Sequence, residues 1–334
     1  MSQQAIVGGL ALMALLGSAA AQAEDTLTVY TYDAFVSEWG AGPKVKEAFE
    51  AQCDCRLRFV ALDGAVGILQ RLRLEGEDSA ADVVLGLDMN LMASARETGL
   101  LVPHGIDLAP VSLPVEWRDD TFVPFDWAPF AFVYDTQALA DPPTSFEQLI
   151  AAPDDLKVII EDPRTSTPGL GLLLWIKHAY GERADEIWEG LQPHILTVTR
   201  GWSEAYFSLF MNGEAPMVLS YATSPVYHMA VENTDRYRAV AFDEGHYLQV
   251  EVAAMTRHSE HPGLAREFLE FVLGEQFQRQ LPLTNVMYPA VDIGDALPAA
   301  FDELIDPEVY SFPPQTVARE RRAWIDEWLR ASTR

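Results

Sequence analysis

Five short segments of this chain combine hydroxyls, carboxylates, aromatics and glycine in ways that suit a polar, charged or aromatic ligand. The first is Thr165-Ser166-Thr167-Pro168, which leads into an apolar helical run. Ser/Thr caps followed by Pro at the first helical position mark a helix start, where backbone N–H groups lack internal partners and the dipole is positive. Such a turn can cradle an anion or a polar group. The second is Tyr30-Thr31-Tyr32-Asp33, with Phe35 and Trp39 close behind; the third is Asp63-Gly64-Ala65, a carboxylate and a glycine before a helix. The fourth is Thr199-Arg200-Gly201-Trp202-Ser203-Glu204. The fifth is Ser220-Tyr221-Ala222-Thr223-Ser224-Pro225-Val226-Tyr227-His228, with Ser224 as the cap before Pro225. Each alone reads as a capped turn. Five converging on one cleft call for a ligand with an aromatic ring and polar or anionic ends.

Motifs for catalysis are missing. The chain has no G-x-S-x-G, no G-x-x-x-x-G-K-[ST] and no H-E-x-x-H. Its histidines show no metal-ligand spacing, and His228 and His246, beside tyrosines, read as structural. Carboxylates abound, but no pair stands out in a strand-end loop. The expected activity is binding rather than turnover, with no cofactor and no metal.

The elements that must position these loops alternate between periods of two and 3.6 residues. Leu27–Thr31, Arg56–Leu62 and the apolar run Asp82–Leu87 read as strands separated by helices, the pattern of a parallel, doubly wound sheet. The aromatic, Pro-punctuated Thr121–Asp135 breaks the rhythm and reads as a crossing segment. A second α/β unit extends from Asp141 to about Phe242, and Tyr247–Met255 supplies a return crossing. Helices near Pro262–Leu273 and Pro314–Leu329 close the chain. The expected architecture is α/β: two doubly wound lobes joined by crossing strands, with ligand in the interlobe cleft. Lobe 1 is discontinuous, 24–125 and 252–334; lobe 2 is 126–251. In open parallel sheets ligands bind beyond the strand carboxyl ends, where all five loops fall.

Composition narrows the setting. The chain has 334 residues and a net charge of −27, which repels nucleic acid and anionic lipid. A solubilising surface explains most of that charge; a field that draws in a cationic ligand is the sharper alternative. Residues 1–23 carry an apolar run and end in Ala21-Gln22-Ala23, the pattern of a secretory signal cleaved after Ala23, although no Lys or Arg precedes the run. The expected location is a bacterial periplasm. Cys53 and Cys55 could pair there as a small disulfide, and two such ligands are too few for structural zinc.

The segments LTVYTYDAF, CDCRLRFVAL, ADVVLGLD, FVPFDWAPFAFVYD, DPRTSTPGLGLLLW, GWSEAY, VLSYATSPVYH, EGHYLQVEVAA and NVMYP resemble, in order and spacing, the thiamine-binding periplasmic proteins of bacterial ABC importers. These are type II periplasmic binding proteins. The resemblance implies thiamine as the ligand, with its monophosphate and diphosphate as further candidates, and a membrane permease and separate ATPase as partners of a monomeric receptor. By motif, Ser166 and Thr167 would hold the hydroxyethyl or phosphate end, and Trp202 and Tyr221, Ala222, Thr223 and Ser224 would line the same side. Tyr32 and Tyr227 would offer aromatic faces, and nearby carboxylates would balance the ring charge. Two positions depart from the family. It reads Glu-Asp-Gly at Asp63-Gly64-Ala65, so a gapless register puts Gly64 and Ala65 at its Asp-Gly ligand positions, while a one-residue shift restores Asp63. It reads N-W-M-Y-P at Asn285-Val286-Met287-Tyr288-Pro289, so a tryptophan is lost, with Trp39 or Trp127 as compensators. Two alternatives stand beside this reading: a thiamine-degrading enzyme on the same scaffold, using a cysteine nucleophile, or a receptor for a polyamine or ferric ion.

Overall fold

The computed structural model describes residues 25–332, so the expected leader 1–23 and its cleavage site lie outside the described residues. Eight strands form the frame: β1 (Thr26–Tyr32), β2 (Arg56–Leu62), β3 (Val83–Asp88), β4 (Val123–Asp135), β5 (Val158–Glu161), β6 (Ile195–Thr199), β7 (Met217–Tyr221) and β8 (His246–Thr256). Their order across the molecule is β2-β1-β3-β8-β4-β7-β5-β6. β1 pairs in parallel with β2 and β3, and β5 in parallel with β6 and β7. Each parallel set belongs to one lobe and is flanked by helices, as strands this apolar require cover on both faces.

The two long strands β4 and β8 join the lobes. They run antiparallel to one another, and β8 also pairs antiparallel with β3, while β4 pairs antiparallel with β7. All eleven residues of β8 are buried. Both crossings expected from Thr121–Asp135 and Tyr247–Met255 are therefore present. The helix Pro314–Ser332 lies across the seam, packing on the helix Ala184–Leu191 of the second lobe and on Met92–Arg96 of the first. Lys177 Nζ and Glu327 Oε2, 2.8 Å apart, fasten it.

Close packing at the seam depends on missing side chains. Gly86, at φ +98°, lies against the Tyr32 ring, and a Cβ there would fall 2.4 Å from that ring. The bare backbone of β3 thus seats a cleft tyrosine. Cys53 and Cys55 form a disulfide at the N-terminal end of β2, away from the strand carboxyl ends.

Candidate functional site

A cavity of about 670 Å³ opens between the lobes, beyond the carboxyl ends of the parallel strands. That is a normal size for a small-ligand site. All five loops reach it. Tyr32, Asp63, Gly64, Ala65, Ser166, Thr167, Trp202, Tyr221, Ser224 and Tyr227 line its wall. Ala222 and Thr223 do not, and their expected lining role is corrected. Both are fully buried behind the wall: Ala222 N donates to Pro129 O at 2.9 Å, and the Thr223 hydroxyl faces Met287 Sδ at 3.8 Å.

The second lobe builds one end of the cavity from a helix start and a π-turn. Ser166 is the N-cap of the helix Thr167–Tyr180, yet its side chain caps nothing. It is 4% exposed, and its Oγ has no hydrogen-bond partner. A buried hydroxyl left unmatched beside free first-turn N–H groups suits a polar or anionic ligand end. Glu204–Phe210 forms a π-helix, closed by Met211 N donating to Tyr206 O at 2.9 Å. Wide turns of this kind re-aim side chains. Here Trp202 stacks on Tyr206 with ring centres 5.1 Å apart. Trp202 Nε1 donates to Ser220 Oγ at 2.8 Å, and Ser220 Oγ meets Ser224 Oγ at 2.7 Å. The Tyr221 ring packs on Phe130, 5.2 Å between centres.

The first lobe contributes a more open wall. Trp39 lies edge-on to Phe207 across the mouth, 5.3 Å between centres. Of the two expected compensators for the lost tryptophan, Trp39 lines the cavity and Trp127 does not: its ring stacks on Tyr288 at 4.4 Å, outside the wall. Val286 lines the cavity with φ at +56°, an uncommon conformation for a β-branched residue. Gly64 takes φ +66°, and Asp63 beside it pairs with Arg200 of the second lobe at 2.5 Å. Arg200 is the one lysine or arginine among the lining residues, against the carboxylates of Asp33, Asp63, Glu204, Glu232 and Glu251. The cavity is acidic.

Sequence reasoning missed the floor. Glu251 of β8 faces the cavity from the seam, with Tyr32 Oη 2.8 Å from its Oε2 and 3.0 Å from Asn285 Oδ1. Asn285 Nδ2 donates to Asp126 Oδ2 at 2.6 Å and lies 3.3 Å from Glu251 Oε2. Loss of solvent raises the Glu251 carboxyl to about 7, with the charge of Asp88 adding to it, and holds Asp126 well above the usual carboxylate range, with the charge of Glu251 adding to it. One signal could have exposed this group. Glu251 and Asp126 are mid-strand carboxylates with apolar residues on either side, a placement that is costly without a purpose.

Among the described residues no cysteine is free, and no cluster of three or more His, Cys, Asp or Glu could hold a metal ion. Residues 34–279 match the sequence pattern of bacterial extracellular solute-binding proteins. A thiamine-binding periplasmic protein of Brucella suis is 54% identical over 325 residues, covering 97% of each chain. One from Escherichia coli is 51% identical over 321 residues, covering 96% of this chain and 97% of its own. A solved structure, the periplasmic thiamin binding protein, superposes with a TM-score of 0.90 at 51% identity, over 93% of this chain and 97% of that one. The periplasmic binding protein P5PA, 18% identical with a TM-score of 0.76, shares the fold. The chain is a binding protein, not an enzyme, and belongs to the bacterial extracellular solute-binding proteins, among their thiamine-binding periplasmic members.

Proposed function

We propose that this protein captures thiamine in the periplasm and hands it to the permease of an ABC importer driven by a separate ATPase. The observation that carries the reading is the set of chemistries gathered on one cavity. Trp202 and Tyr221 offer aromatic faces, Glu251 a carboxylate at the seam, and Ser166 an unmatched hydroxyl at a helix N-terminus. Thiamine presents the complementary groups: a flat aminopyrimidine, a thiazolium with a fixed positive charge, and a hydroxyethyl or phosphate tail. A cation over an aromatic face gains about 0.5–2 kcal/mol, and a charge-assisted hydrogen bond about 1.5–3 kcal/mol. The sequence similarity to named thiamine-binding proteins supports the same ligand.

Calorimetry of the refolded mature chain with thiamine, its mono- and diphosphates, spermidine and Fe(III) tests this. Submicromolar binding of thiamine, with none of spermidine or Fe(III), is expected; no thiamine binding would overturn the reading. The Ser166 end, open to hydroxyl or phosphate, supports binding of the phosphates as well. Export with cleavage after Ala23 predicts a mature N-terminus at Glu24, checked by N-terminal sequencing. Size-exclusion chromatography is expected to give a monomer.

A further inference from the structure

Three carboxylates stand abreast where the lobes join. Glu251 on β8 is in register with Asp88 on β3 on one side and with Asp126 on β4 on the other. Residues opposite one another on neighbouring strands share a face, and like charges placed there repel. All three are buried, and only Glu251 reaches the cavity. The groups facing Glu251 come from every neighbouring element: the Tyr32 hydroxyl from β1, Asp88 from β3, Asp126 from β4, the Asn285 amide from the loop after Leu281–Thr284, and Tyr221 from β7. Each is neutral or acidic. Arg321 acts on this row through Asp88, whose carboxyl its charge lowers. Asp88 Oδ2 and Asp126 Oδ1 are buried with no hydrogen-bond partner. Carboxylates this close and this dry keep protons.

We propose that Glu251, reinforced by Asp88 and Asp126, is the counter-charge for a fixed cation in the ligand, so that the cavity selects a cationic ring over its neutral isostere and releases a proton as it fills. The inference rests on the thiamine reading above, whose thiazolium is such a cation. In the empty cleft the positive charge that balances the row is a proton held between Glu251 and Asp126. An entering thiazolium has no proton to give and cannot lose its charge. It takes over the balancing role, the carboxyl O–H bond breaks, and the proton leaves to solvent.

The sign of the pH dependence follows. Burial raises Glu251 to about 7 and Asp88 to about 6, so below neutrality the ligand must displace a proton that the empty site holds. Affinity for the cation should rise with pH up to about 7 and flatten above it. A neutral ligand should show no such slope.

The test compares thiamine with deazathiamine, the thiophene isostere that lacks the ring charge, by calorimetry in two buffers of different ionisation enthalpy. At about pH 6 the wild-type protein is expected to bind thiamine at least about tenfold more tightly and to release a substantial fraction of a proton. Glu251→Gln should cut the preference to about twofold and abolish proton release, while deazathiamine binding persists and reports an intact fold. If the variant does not fold, the wild-type comparison decides alone. Equal binding of both ligands without proton release overturns the counter-charge and leaves the thiamine reading standing. Binding of neither overturns both.

Discussion

The two walls of the cleft are built to different standards. On the second-lobe wall each aromatic is held by something else. Ser220 fixes the Trp202 indole, and Ser224 fixes Ser220. Tyr206, beneath Trp202, has its hydroxyl 2.9 Å from His228 Nε2, and His228 Nδ1 lies 2.6 Å from Glu232 Oε2. On the first-lobe wall Tyr32 is fixed in the same way by Glu251 and Asn285, but the groups nearer the mouth have few such supports. Trp39 is 46% exposed, Asp63 is held by one exposed ion pair, and Val286 sits at positive φ. Side chains already fixed in the bound geometry lose little freedom on binding, so the second lobe should carry most of the affinity.

Removing the best-held aromatic should break that asymmetry most. Trp202→Ala deletes a stacked face and leaves Ser220 and Tyr206 without their neighbour. A loss of about 2–3 kcal/mol in thiamine binding is expected, as for a central aromatic anchor, with circular dichroism checking the fold. An affinity within about threefold of wild type would move the weight to the other wall. Ser166→Ala comes next. No protein group hydrogen-bonds to this hydroxyl, so its removal breaks no internal bond. Stability should be unchanged, while thiamine monophosphate loses about 1.5 kcal/mol and thiamine less than about 1 kcal/mol. Equal losses for the two ligands would place the phosphate elsewhere.

The better-built wall was also the more legible in sequence. Ser166, Trp202 and Tyr221 belong to strand-to-helix turns, whose caps, prolines and small residues are local signals. The parallel sheets and both crossings follow from the same local periodicity. What stayed hidden depends on register between distant segments. Asp88, Asp126 and Glu251 become neighbours only because β8 lies between β3 and β4. Ala222 and Thr223 failed for a related reason: a turn that lines a cavity still turns some of its residues away from it. Trp127 was misjudged similarly, since its face is set by pairing with Tyr288 across the sheet. The Glu204–Phe210 π-turn gave no periodic warning because one extra residue does not disturb an apolar stripe this short.

The thinner wall invites gentler tests. Asp63 and Arg200 meet across the mouth, both largely exposed. Exposed pairs contribute about 0–1 kcal/mol and fade with salt. Asp63→Asn should therefore weaken thiamine binding by less than about fivefold at low ionic strength, with the difference shrinking at about 0.5 M salt. A large loss that persists in salt would mean Asp63 touches the ligand directly, the shifted-register role expected for it from the sequence.

The smallest effect concerns Val286. A left-handed backbone costs an L-residue about 1–2 kcal/mol, and Asn tolerates it better than a β-branched side chain does. Val286→Asn recovers part of that cost but gives up half-buried methyl groups, each worth up to about 0.8 kcal/mol when fully covered. The balance is a gain of about 0.5 kcal/mol, which in a chain this long raises Tm by about 1 °C. Calorimetric melting of the unliganded protein, paired with thiamine titration, reads both terms. A higher Tm with affinity within about twofold identifies the position as strained and not essential to the ligand. A lower Tm would mean that the valine methyls outweigh the strain, and that this wall is better packed than its exposure suggests.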